Sequence, residues 1–189
     1  MRITALSGGV GGARFLRGLL DALETFDPVS DGNSPQGDVR DPDAVGSVGS
    51  VGSVDAAAHE ITVIGNTGDD ISLFGLRVCP DLDTVMYTLG GGIHEGQGWG
   101  RADETSVVQS ELMAYGALPD WFSLGDRDFA THIARTQLLG QGHSLSEATA
   151  QLSARWGLPA HGVRLLPMTD VPVETHVVLE QGGEDRAVH

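Results

Sequence analysis

Apolar positions along the chain alternate between two periods. Short β-branched or aliphatic runs at residues 3–6, 61–65 and 163–166 predict buried strands. After the first of them, Phe15, Leu16, Leu19, Leu20 and Leu23 recur at helical spacing and predict one apolar helix face. A second stripe, Val107, Val108, Leu112 and Met113, marks a helix over 103–115, and residues 81–87 and 129–139 predict two more. Ser144 and Glu147 have capping-box spacing and open a helix that runs to Trp156. Residues 71–78 are apolar apart from Arg77, and 175–179 and 186–189 read as further short strands. Strands alternating with helices predict an α/β protein, a Rossmann-like and mostly parallel sheet with flanking helices plus a helical segment.

Two stretches fall outside this pattern. Residues 27–57 are rich in Asp, Gly, Ser and Pro and contain the repeat Val45-Gly46-Ser47-Val48-Gly49-Ser50. Nothing there builds a core, so a disordered low-complexity insertion is expected within a single domain of residues 1–189. Residues 90–100 are too glycine-rich for regular structure and carry His94 and Trp99, as a substrate-covering loop would. Trp99 either stacks on a flat ring or fills an apolar gap.

Composition narrows the chemistry. A formal net charge of -15 argues against nucleic acid or an anionic membrane as partner. All 11 basic side chains are arginine, which excludes a P-loop lysine, a Schiff-base lysine and a lysine base. Arginine and a metal must then carry any phosphate chemistry. The single cysteine, Cys79, permits no disulfide framework or thiolate zinc site and reads as a buried small residue. No secretory leader or membrane-spanning run is visible, so a cytoplasmic protein is expected.

Candidate chemistry gathers at strand ends. Ser7-Gly8-Gly9-Val10-Gly11-Gly12 joins the first strand to a helix start, an arrangement that binds anions through backbone amides. It lacks both the third glycine of the dinucleotide fingerprint and the Walker lysine, which counts against a nicotinamide-dependent oxidoreductase. Asn66-Thr67-Gly68-Asp69-Asp70 follows the 61–65 strand, where open α/β sheets place ligands, and Pro80-Asp81-Leu82-Asp83-Thr84 comes soon after. Such clustered carboxylates either hold Mg²⁺ or merely decorate a turn and cap a helix. In Leu124-Gly125-Asp126-Arg127-Asp128, Asp126 reads as an N-cap and Asp128 as a first-turn acid, while Arg127 pairs with them or reaches a ligand. His132 and Arg135, further along that helix, are expected at the surface.

In this order, and with Glu174-Thr175-His176, these motifs resemble the 2-phospho-L-lactate transferase family of coenzyme F-420 biosynthesis, its actinobacterial branch in particular. The resemblance covers the chain except residues 27–57. It implies Mg²⁺-dependent transfer of a phospholactyl or phosphoenolpyruvyl group from a guanosine diphosphate-linked donor to the ribityl hydroxyl of the deazaflavin Fo, with release of GMP. It implies Mg²⁺ on Asp69 or Asp70 together with Asp83, and Asp69 and Asp83 as the catalytic carboxylates. Substrate would be held by Gly9, Gly11, Gly12 and Arg14 at the first turn. Asp83 and the segment containing Ser123, Asp126 and Arg127 would contact Fo. Family members are longer and pair into homodimers, so the C-terminal part of the family fold is expected to be missing here. A chain that binds Fo or nucleotide without turnover is the alternative.

Overall fold

The structure, a computed structural model, describes residues 1–26, 59–117, 122–181 and 184–188. The 27–57 insertion expected from composition lies outside the described residues. Three parallel strands form the central sheet in the order β1 (Arg2–Ser7), β2 (Glu60–Gly65), β5 (Val163–Pro167). The expected mostly parallel α/β architecture is what the chain adopts. Strand β2 is central because it can be buried: Ile61 and Val63 are at most 1 % exposed, pairing with Ile3 and Ala5 on one side and Val163 and Leu165 on the other.

Helix α1 (Val10–Phe26) leaves β1 directly and packs against α2 (Pro80–Leu89). Ala13 and Leu16 of α1 meet Leu82, Val85, Met86 and Tyr87 of α2 over the sheet residues, forming the main core. Each fully buried aliphatic side chain in that layer stabilises by roughly 1.5–3 kcal/mol relative to exposure. Phe15, expected on the apolar face of α1, points outward and is 67 % exposed. Adjacent residues on a helix lie about 100° apart, so the core takes Leu16 and leaves Phe15 aside.

The 71–78 run is not one strand but a hairpin, β3 (Ile71–Leu73) paired with β4 (Leu76–Val78). Its turn uses Phe74 and Gly75 at φ of 53° and 76°, a left-handed pair that only glycine adopts freely. A second core joins Leu73 and Val78 of this hairpin to Leu124 and Phe129. Helix α3 (Val107–Ala114) starts later than expected, with Ser106 at its N-cap. Its apolar stripe is half wasted on solvent, Val107 and Val108 being exposed. Helix α4 (Asp126–Gly140) packs on β4 and on α5 (Leu145–Arg155). Helix α5 carries the predicted capping box, with Ser144 Oγ accepting from the Glu147 amide and a Glu147 oxygen accepting from the Ser144 amide. The chain then turns through a short 3-10 segment into β5 and ends in an antiparallel hairpin, β6 (Val177–Gln181) and β7 (Glu184–Val188). No helix among the described residues is long and apolar enough to cross a membrane.

Candidate functional site

The parallel register sets Ser7 beside Gly65, so the turns that follow β1 and β2 leave the same end of the sheet side by side. Asn66 joins them: its amide donates to Ser7 O (2.9 Å), and its side chain accepts from the Gly68 amide (3.0 Å). Asn66 Nδ2 also donates to Asp81 Oδ2 at 2.9 Å. The other Asp81 oxygen presses against Gly9, where an added Cβ would sit 2.5 Å from it. Gly9 is therefore needed for close approach, as the sequence implied, but the group that approaches from inside the chain is a carboxylate. Gly11 is open to solvent, Gly12 is seated on Ser7, and Arg14 is exposed with its guanidinium beside Gly98. Arg17 and Glu95 form an exposed ion pair at 2.6 Å, so α1 also carries the glycine-rich loop.

The predicted acidic residues separate into different environments. Asp69 is exposed and Asp70 is fully buried. Asp70 Oδ2 pairs with Arg77 at 3.3 Å, while Oδ1 is buried without a hydrogen-bond partner. Burial pushes the Asp70 carboxyl up to about 6, against the lowering effect of the Cys79 thiol and of Arg77 and Arg135. Arg77 also reaches Glu174 (3.3 Å) and the carbonyl of Val173 (2.9 Å), and Thr175 Oγ1 donates to Gly68 O. The segment carrying Glu174 and Thr175 is thus strapped across the acidic turn. Asp83 is buried and both its oxygens are held by Arg135: Nη2 bonds Oδ1 and Nη1 bonds Oδ2 at 3.1 Å. Burial alone would pull the Arg135 guanidinium down, but Asp83 holds it above its ordinary value.

Among the described residues no group of three or more His, Cys, Asp or Glu side chains is arranged to hold a metal. Asp83, with both oxygens committed to arginine, does not fit as a ligand in this arrangement. The unpartnered Asp70 Oδ1 and the exposed Asp69 carboxylate do fit the looser case, in which one or two carboxylates and substrate phosphates surround Mg²⁺.

Beside the first turns of α2 and α4 lies a pocket of about 210 Å³. Val78, Tyr87, Trp99, Phe122 and Leu124 supply apolar walls, and Asp83, Ser123, Asp128 and His132 supply polar groups. Trp99, 49 % exposed, forms part of the rim rather than filling a gap. The wall residue Tyr87 is braced by Trp156 (ring centroids 5.1 Å apart), and the Arg101 guanidinium lies over both rings. His132 and Arg135, expected at the surface, are 2 % and 1 % exposed. The reason is that α4 turns a polar stripe inward: Asp128, Thr131, His132 and Arg135 share one face and are all buried. Burial pulls the His132 imidazole down to about 4 and pushes the Asp128 carboxyl up to about 6, the Tyr87 hydroxyl opposing the latter shift. That 3–4 spacing was visible in the sequence; it signals an inward face only once apolar residues are no longer required of it.

Ser123 lines the pocket, but Asp126 and Arg127 do not. Asp126 caps the neighbouring helix, not its own, accepting from Thr105 Oγ1 and from the amides of Val107 (3.1 Å) and Val108 (2.9 Å). Glu104 returns the favour by accepting from the amides of Arg127 (2.8 Å) and Asp128 (2.9 Å) at the start of α4. Gly125 is required for that exchange, since a Cβ there would lie 2.2 Å from the Glu104 carboxyl carbon. Glu104, Asn66 and Asp81 are thus structural partners of the site whose roles the sequence did not reveal.

Residues 3–188 match the family described as 2-phospho-L-lactate transferase CofD. The chain is 58 % identical over its full length to a phosphoenolpyruvate transferase of Streptomyces griseus, covering 48 % of that protein. It is 58 % identical to one of Thermobifida fusca, covering 50 %, and 49 % identical to one of a Mycobacterium species, covering 51 %. The chain spans about half the length of these relatives.

Proposed function

From the membership of this chain in the 2-phospho-L-lactate transferase family, we propose that the protein transfers a phosphoenolpyruvyl or 2-phospho-L-lactyl group to the deazaflavin Fo. The donor in this reading is a guanosine diphosphate-linked compound, GMP leaves, and the product enters coenzyme F-420 biosynthesis. The observation that carries it is the pairing of two unlike sites through shared segments: Asp81 meets Gly9 while Asp83 lines the pocket, and Gly98 lies beside Arg14 while Trp99 lines the pocket. One is the open turn of Ser7, Gly8 and Gly9, bordered by Asn66 and Asp81. The other is the apolar pocket under Trp99.

A hydroxyl attacking a diphosphate needs alignment and charge neutralisation more than covalent help. Backbone amides at the start of α1 and the exposed Arg14 suit the diphosphate end of the donor. The pocket suits the ring of Fo, with its ribityl chain leading back toward the acidic turn. Mg²⁺ on Asp69 or Asp70, completed by the donor's phosphates, would neutralise charge on those oxygens. Asp83 acts in this scheme as a wall of the acceptor pocket, oriented by Arg135, and not as a metal ligand.

Incubating the full-length protein with Fo, the donor and Mg²⁺ tests the reading. GMP should appear in step with a product heavier than Fo by the transferred group. Absence of GMP with both substrates present contradicts it. A homodimer is also proposed for the full-length protein, a point that sedimentation would decide.

A further inference from the structure

We infer that His132 and Asp128 read the edge of the ring held in the apolar pocket, His132 as a fixed hydrogen-bond donor and Asp128 as the acceptor beside it. The site then selects a flat heteroaromatic whose edge carries a carbonyl next to an N–H, as a lactam or cyclic imide does. The inference rests on the reading of this pocket as the acceptor site.

The tautomer of His132 follows from its neighbour. Arg135 Nη1 lies 3.3 Å from His132 Nδ1, and a guanidinium can only donate. Nδ1 must therefore accept, which leaves the ring proton on Nε2. Asp83 does not compete for that role, because its nearest oxygen is 3.6 Å from Nδ1 and both its oxygens already hold Arg135. The Nε2–H has no hydrogen-bond partner, on a side chain that is 3 % exposed and lines the pocket.

Asp128 stands one turn earlier on the same face of α4 and lines the same pocket. Its Oδ2 lies on the Gly100 side, while its Oδ1 is buried and makes no hydrogen bond, the Tyr87 hydroxyl being close enough to favour the carboxylate without bonding it. A buried donor and a buried acceptor, adjacent and both unmet, are each unfavourable unless something arrives to pair with them. Of the polar groups that share the pocket, Asp83 is committed to Arg135 and the Tyr87 hydroxyl makes no hydrogen bond to either atom, so the complement comes with the ligand. A carbonyl accepting from Nε2–H and a neighbouring N–H donating to Oδ1 meet both needs in one plane. The pyrimidinedione edge of a deazaflavin is such an edge.

Two ligands separate the possibilities: Fo, and Fo methylated on the imide nitrogen, titrated against the full-length protein by deazaflavin fluorescence. Wild type should bind Fo roughly tenfold or more tighter than the methylated compound. This arm requires no variant to fold. Asp128→Ala should bring the two ligands to near parity. His132→Leu should weaken Fo roughly tenfold, while His132→Gln, which retains an N–H, should stay within a few-fold of wild type. Equal binding of both ligands by wild type overturns the inference and leaves the acceptor assignment standing. So does a His132→Gln variant as weak as His132→Leu, which would make the residue structural. Failure of Fo to bind wild type at all overturns the inference and the acceptor reading together.

Discussion

The two halves of the site are built from different materials. At the turn after β1 the contacts are made mainly by backbone and small residues, Ser7, Gly8 and Gly9, with Asn66, Asp81 and the nearby Arg14 adding side chains. In the pocket beside Trp99 side chains supply most of the lining, and two of its polar groups, Asp83 and His132, are held by the buried Arg135. An open turn of amides tolerates a heavily charged, hydrated group because water still screens it. A pocket walled largely by apolar side chains suits such a group poorly, but it can hold a ring at a fixed angle. Stability and chemistry are therefore separable at the turn and entangled in the pocket.

Arg135→Met in the full-length protein is the sharpest way to expose that entanglement. It leaves Asp83 buried and unpaired, and urea unfolding should show a loss of roughly 3–5 kcal/mol. The double variant Asp83→Leu with Arg135→Met should regain most of it, since an apolar pair needs no desolvation. At the turn, Gly9→Ala should do the opposite: turnover falls at least tenfold while stability changes by only about 1 kcal/mol, because the Asp81 carboxylate must swing off Asn66 without disturbing the core. A large loss of stability in this variant would erase the contrast.

A pH series probes the pocket at smaller amplitude. Asp128 has a folded-state value of about 6 against 3.8 unfolded, so folding favours its protonated form. Its contribution is fully present below pH 4 and is lost as pH rises through 6. Asp128→Asn should therefore gain on wild type by roughly 2–3 kcal/mol between pH 4 and pH 7 in denaturant midpoints. His132, depressed to about 4, acts in the opposite sense and Asp70, raised to about 6, in the same sense as Asp128, so His132 offsets only part of the loss that wild type shows as pH rises. The smallest effect belongs to Arg17→Ala, which breaks an exposed pair with Glu95 and should leave the melting temperature unmoved.

The sequence was legible where local chemistry decides structure. The capping box at Ser144, the glycine turn after β1 and the strand before Asn66 all formed as their residues predict. Of the residues that the family resemblance named as Fo contacts, Asp83 and Ser123 line the pocket, whereas Asp126 and Arg127 do not. The rest depended on tertiary partners. Asp126 reads as a cap for its own helix, yet it caps α3, because Thr105 and the α3 amides happen to approach it. Arg135 reads as a surface cation, since nothing local announces that Asp83, far away in sequence, will meet it in the interior. Charged residues on an amphipathic helix default to solvent, and only a buried partner reverses that.

The direct test is a crystal structure of the full-length protein with Fo bound. The ring should lie between Trp99 and Leu124 with its edge against His132 and Asp128, and its ribityl hydroxyl directed toward the turn of Gly8 and Gly9. A ring seated on the glycine turn, or anywhere outside the pocket lined by Tyr87 and Trp99, contradicts the division of labour between the two sites.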